Sequence, residues 1–173
     1  MEYVADIGTA WLGRKDIACR LIERAKESGA TTIKPQWFHA DDYKGHPLEA
    51  EAVRCCLTPE TAWQLYDLIG LAGLEVQFSV WNANDAETLY SMGVRRVKVA
   101  CSQRANPDLL RGILEPGQFD SVSISFPSYW ELEVARKAGI IERHGRTSVL
   151  PYYCVPKYPA KLEDIDMPEF RFG

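Results

Sequence analysis

Six times along its 173 residues the chain repeats one pattern: a short apolar run followed by a stretch with helical periodicity. The predicted strands cover residues 3–8, 31–38, 75–81, 96–101, 122–126 and 148–155. Ile17, Leu21, Ile22 and Ala25 share one face of a predicted helix over 15–28, which Gly29 stops. Thr58-Pro59 supplies an N-cap and first-turn proline for a helix ending at Gly73. Asn84 with Glu87 opens the next helix, Asn106-Pro107 the one after, and Ser128 with Glu131 has capping-box spacing. The polar stretch around Asp41-Asp42-Tyr43-Lys44-Gly45, and its continuation to Leu57, fits neither period. Phe170-Arg171-Phe172 is read as the start of a seventh strand.

So regular an alternation leaves room for parallel strands with helices outside, either as a doubly wound open sheet or as a barrel. The polar residues favour the barrel. Asp6, Lys34, Gln36, Gln77, Ser79, Lys98, Ser123 and Ser125 all fall within predicted strands, mostly two apart and so on one face of each strand. A doubly wound sheet, covered by helices on both faces, has no place for them, whereas a barrel lumen does. The predicted fold is a single α/β domain over residues 1–173, a parallel (β/α) TIM-type barrel. Eight βα units need about 200 residues or more, so this ring is predicted to be incomplete, with six to seven units. Open parallel edges invite pairing, and the expected assembly is a homodimer or a complex with a complementing subunit, unless the ring collapses to a smaller barrel.

Two of the inward polar residues are lysines. Lys34 lies in Thr31-Thr32-Ile33-Lys34-Pro35-Gln36-Trp37, and Lys98 in Arg96-Val97-Lys98-Val99-Ala100-Cys101. An ammonium group in a buried strand is costly unless something negative meets it. Both come from alternate strands, which share interior layers in a barrel. They mark a site for an anion, or a structural pairing with an internal carboxylate such as Asp6.

Bulk properties exclude several partners. The net charge is −4 with no basic block, which argues against nucleic acid and anionic membrane surfaces. No apolar run approaches the length of a membrane span, and no signal peptide is visible. Cys19, Cys55, Cys56, Cys101 and Cys154 form no CxxC pair, so reduced thiols in a cytoplasm are expected.

Ala5-Asp6-Ile7-Gly8, with Gly13 after it, resembles the first-strand motif of the N-acetylneuraminate (sialic acid) synthase family. Ile33-Lys34-Pro35-Gln36 with His39-Ala40-Asp41-Asp42 resembles its second-strand signature, and Val97-Lys98-Val99-Ala100-Cys101 its fourth strand. Cys154-Val155-Pro156-Lys157-Tyr158-Pro159, followed by Glu163-Asp164, is similar to a later segment. The matches are collinear and cover the chain. The resemblance implies a barrel that condenses phosphoenolpyruvate with an amino sugar, a carbon–carbon bond-forming transferase using a divalent metal such as Mn or Mg. Carried over by position, Lys34, Ser79, Lys98 and Ser125 are the phosphate-binding candidates, and Asp6, Gln36 and Gln103 the catalytic ones.

The departures from that pattern are chemical. Asp6 stands where the motif carries Glu, Ala10-Trp11 replaces Asn-His, and Gln103 replaces an acid and cannot take a proton. Tyr153 occupies the position of a metal-binding His, a second such His would fall beyond Gly173, and the family's C-terminal antifreeze-like domain is absent. No metal ligand set is therefore expected. The reading is a protein that binds phosphoenolpyruvate or another small phosphorylated ligand, with a non-catalytic pseudoenzyme, or a regulatory or complementing subunit of a split barrel, as the alternative. Cys101 and Cys154 read as packing thiols, His39, His46 and His144 lack metal-ligand spacing, and Trp11, Trp37, Trp81 and Trp130 either wall a sugar pocket or pack the barrel rim. Tyr152-Tyr153 places a hydroxyl in the lumen or a tyrosine in the core.

Overall fold

The computed structural model describes residues 2–157 and 159–165. The strands are β1 Val4–Asp6, β2 Thr32–Lys34, β3 Gln36–Trp37, β4 Glu75–Val76, β5 Phe78–Val80, β6 Arg96–Val99, β7 Ser121–Phe126 and β8 Ser148–Tyr153. The helices are α1 Lys15–Glu27, α2 Glu49–Arg54, α3 Pro59–Leu71, α4 Ala83–Ser91, α5 Pro107–Leu114 and α6 Tyr129–Lys137. Short 3-10 turns cover Ala40–Tyr43, Cys101–Gln103 and Leu162–Asp164. The proposed seventh strand at Phe170 lies outside the described residues.

Every strand pair is parallel, and once β2 with β3 and β4 with β5 are each taken as one interrupted strand, neighbours in space are neighbours in sequence. This sequential winding is that of a TIM-type barrel; a doubly wound sheet would reverse direction part-way. The predicted strand over 31–38 is broken at Pro35, which has no N–H to give to a ladder, so β2 pairs with β1 and β4 while β3 pairs with β5. The ladder nevertheless carries on, because Gln77 N–H donates to Ile33 O at 3.1 Å and Ser79 N–H to Pro35 O at 2.9 Å. Among the described residues β1 pairs only with β2 and β8 only with β7, so the ring is not closed.

The apolar core lies between sheet and helices. Ile33, Val97, Val99, Val122 and Ile124 point outward against it and are fully buried. The α5 face of Leu109, Leu110, Ile113 and Leu114 is buried too, each side chain contributing roughly 1.5–3 kcal/mol of gross burial energy. Inward positions are polar: Gln77 Nε2 donates to Ser123 Oγ at 3.0 Å, and Arg96 pairs with Glu2 at 2.5 Å near the strand N-terminal ends.

Caps fix where the loops begin. Asn82, rather than Asn84, caps α4, its side chain accepting the Asp85 N–H at 2.9 Å. Ser128 Oγ accepts the Glu131 N–H at 3.3 Å, but the expected capping box is only half made: Glu131 turns its carboxylate to the Arg104 guanidinium. Gly13 has φ +68°, and a Cβ there would sit 2.0 Å from Arg54 O. Only glycine lets the loop after β1 pass so close to the end of α2.

Candidate functional site

Parallel strands deliver their last side chains to one end of the barrel, and there the inward polar residues open on a cavity of about 360 Å³. Asp6, Lys34, Gln36, Ser79, Lys98 and Ser125 all line it. The register explains the convergence: Asp6 is opposite Lys34, Gln36 opposite Ser79, and Ser79 opposite Lys98.

Lys34 is buried and already engaged. Its Nζ lies 2.5 Å from Asp6 Oδ2 and 3.2 Å from Ser79 Oγ. Asp6 is half-exposed and also accepts the Gly8 N–H at 3.0 Å, with Gln36 Nε2 at 3.4 Å. Lys98 differs, for among the described residues no carboxylate lies within ion-pair distance of it. Burial, and then the like charge of Lys34, push its pKa below the ordinary lysine value. One lysine is therefore ion-paired and the other is not, since the second lining carboxylate, Asp42, accepts the His39 N–H at 2.7 Å.

A second cavity of about 440 Å³ adjoins the first and shares Asp6, Gln36, Tyr43 and His46 with it, adding Thr9 and Glu51. Tyr43 and His46 come from the stretch whose periodicity was ambiguous, and nothing in their spacing marks them as lining residues. Gln103 is not among the lining residues of either cavity; its side-chain oxygen accepts from Asn106 Nδ2 at 2.9 Å at the start of α5. Of Trp11, Trp37, Trp81 and Trp130, only Trp81 lines the site, packing edge-on to Phe38 at 5.7 Å. Trp11 and Trp37 are buried in the core and Trp130 is exposed.

Cys101 and Cys154 are not the buried packing thiols their apolar surroundings in sequence suggest. Both are half-buried and line the lysine cavity, as free thiols. The neighbouring Cys101 thiol, with Lys98 and the Ser125 hydroxyl, holds the Cys154 thiol down at about 7. Cys101, next to that sulfur and withdrawn from water, is pushed up.

The donor set does not fit a divalent metal. No group of three or more His, Cys, Asp and Glu side chains converges among the described residues, and the nearest carboxylate, Asp6, is held by Lys34. His39 Nε2 instead meets Asp85 at 2.8 Å, outside the cavity lining, and His144 bridges to Thr147 far from the lumen. No helix among the described residues is long and apolar enough to cross a membrane.

Comparison with known proteins agrees with this architecture. The chain is 23% identical over 184 residues to N,N'-diacetyllegionaminic acid synthase from Legionella pneumophila, an alignment that covers 95% of this chain and 51% of that protein. The structure of N-acetylneuraminic acid synthetase from Leptospira borgpetersenii, in complex with citrate, superposes with a TM-score of 0.79 at 22% identity, covering 94% of this chain and 56% of the other. A spore coat polysaccharide biosynthesis protein from Bacillus subtilis gives 0.73 at 25% identity, with 92% and 45% covered. The chain thus spans about half the length of the curated relatives it matches. The model of the NeuB family matches residues 21–171, and the chain belongs to that family.

Proposed function

We propose that this chain is the barrel part of a sialic-acid-synthase-like protein and that its lumen holds phosphoenolpyruvate, or another small phosphorylated anion, between Lys34 and Lys98. The observation that carries the reading is Lys98, an ammonium group on the cavity with no carboxylate at ion-pair distance among the described residues, while the two lining carboxylates are engaged elsewhere, Asp6 by Lys34 and Asp42 by the His39 N–H. A dianion supplies the missing counter-charge, and charge-assisted hydrogen bonds to its oxygens are the strong kind. In this reading Ser79 and Ser125 donate hydroxyls to the phosphate. Asp6 and Gln36, shared by the two cavities, orient a second substrate in the neighbouring space. That the Leptospira relative's structure holds citrate, itself a small polyanion, is in keeping with an anion site in this family. Gln103 has no part in the reading as an acid or base, and a metal has none because the described donors do not gather. Five free cysteines suit a reducing compartment such as the cytoplasm.

Calorimetric titration with phosphoenolpyruvate, with and without Mn²⁺, tests this. Micromolar binding indifferent to the metal is the expected result. A requirement for Mn²⁺ would contradict the metal-free part of the reading, and no binding in either condition would overturn it. A second reading, a non-catalytic regulatory or complementing subunit, is favoured by the outer edges of β1 and β8, which no strand among the described residues pairs with. It predicts a stoichiometric complex or homodimer by light scattering.

A further inference from the structure

The two thiols at the cavity have no part in anion binding as described, and their arrangement points to a chemistry of their own. We propose that Cys101 and Cys154 form a peroxide-oxidisable dithiol that closes to a disulfide beside the lysine cavity. Three observations carry this.

The first is placement. Cys101 opens the turn after β6, and Cys154 follows β8 directly, so the two flank the end of β7. Each backbone is pinned there: Cys154 N–H donates to Phe126 O at 3.0 Å, and Cys101 O accepts from Arg104 at 2.6 Å. Arg104 is itself held by Glu131 of α6. The second is proximity: both thiols line one cavity, with Cys101 placed to stabilise the Cys154 thiolate. Closing the bond brings the two sulfurs to about 2.05 Å. The third is activation and access. Lys98, Ser125 and Arg104 all favour the Cys154 thiolate, and both residues are half-buried on a cavity wide enough for a small oxidant. Thiolate character and access are what select an oxidisable cysteine. The adjacent pair Cys55 and Cys56 lacks that activation, because burial pushes both thiols up.

With hydrogen peroxide as oxidant the steps balance. The Cys154 thiolate attacks one peroxide oxygen, the O–O bond breaks, and a sulfenic acid forms while hydroxide leaves and is protonated to water. The Cys101 sulfur then attacks the sulfenic sulfur; an S–S bond forms, the S–O bond breaks, and the departing hydroxide leaves as water with the Cys101 proton. Two thiols are oxidised by two electrons in all, and one peroxide is reduced to two waters. A thiol reductant reverses the closure.

The test is peptide mapping by mass spectrometry of the full chain after stoichiometric hydrogen peroxide, for wild type, Cys101→Ser and Cys154→Ser. The expected results are an intramolecular disulfide joining Cys101 to Cys154 that dithiothreitol removes, a dimedone-trapped sulfenic acid on Cys154 in Cys101→Ser, and an unoxidised Cys101 in Cys154→Ser. Oxidation falling first on Cys19, Cys55 or Cys56, or both cavity thiols staying alkylatable, would overturn the proposal. The wild-type map decides alone if a variant fails to fold. This chemistry does not depend on the anion reading: each proposal survives failure of the other's experiment.

Discussion

Replacing Lys98 with methionine separates an anion site from a merely structural charge. Lys98 is half-withdrawn from water, has no carboxylate at ion-pair distance, and faces the like charge of Lys34. Methionine keeps most of the stem's volume and contacts and removes the charge. Exchanging buried ions for apolar groups of similar size stabilises proteins by roughly 1–4 kcal/mol. Lys98 is not sealed from solvent, so the low end applies: about 1 kcal/mol, or a rise in Tm of about 2–4 °C for a chain of this length. The gain carries a pH signature. The native pKa of Lys98 lies below the ordinary value of 10.5, so rising pH strips the native proton first. The unfolded state then binds more protons, and wild-type stability climbs toward that of the variant. The variant's advantage is full below the native pKa and gone above both values. Ligand binding moves the opposite way, because a hydrogen bond to a charged group is worth roughly 1.5–3 kcal/mol. Phosphoenolpyruvate affinity should fall about 10- to 100-fold. Thermal melts followed by circular dichroism, near neutrality and at alkaline pH, together with calorimetry, read both effects. A Tm that drops by several degrees, or an affinity that does not change, would refute the reasoning.

Lys34→Met should behave differently: Asp6 keeps the Gly8 N–H and half its solvent contact. Losing the pair then costs about 1 kcal/mol, between exposed and buried cases, while calorimetry shows binding lost; global unfolding would mark a structural ion pair. Gly13→Ala forces a Cβ into Arg54 O and strains a positive φ, so chemical denaturation should show a loss of more than about 2 kcal/mol. Asn82→Ala removes the α4 cap and should cost about 1 kcal/mol in the same assay. Alkylation of Cys154 by iodoacetamide should follow a titration with a midpoint of about 7, and Cys101→Ala should move that midpoint upward, because the thiol that stabilises the thiolate is gone; an unmoved midpoint would remove Cys101 from the account.

Much of the fold was legible because each strand carries its own two-sided code. In β7 the outward Val122 and Ile124 alternate with the inward Ser121, Ser123 and Ser125, and that alternation alone indicates a polar lumen walled by apolar contacts. Lys34, Ser79, Lys98 and Ser125 were legible as inward, cavity-lining residues for the same reason. What failed to show was whatever depends on curvature or on competition between partners. Cys101 and Cys154 are distant in sequence and come to one cavity only because β6 and β8 flank β7. Tyr43 and His46 sit in a loop without period, so nothing local says which way they face. Glu131 had capping-box spacing, yet Arg104 offers a bidentate charged partner that a backbone N–H cannot match. Gln103 matched a family position, but Asn106, needed as the cap of α5, holds its side chain.

If the lumen takes a dianion as proposed, the hold of Asp6 on Lys34 also makes it discriminating. An incoming anion competes for that ammonium with a carboxylate tethered 2.5 Å away, whose effective concentration far exceeds that of any free monoanion. Chloride or acetate gains little by displacing it, whereas a doubly charged group that also reaches Lys98 gains at both ends. Once displaced, Asp6 is released toward the adjoining cavity, where it can meet a hydroxyl or amine. On that reading the same ion pair would set an order of arrival, the dianion first and its co-substrate second.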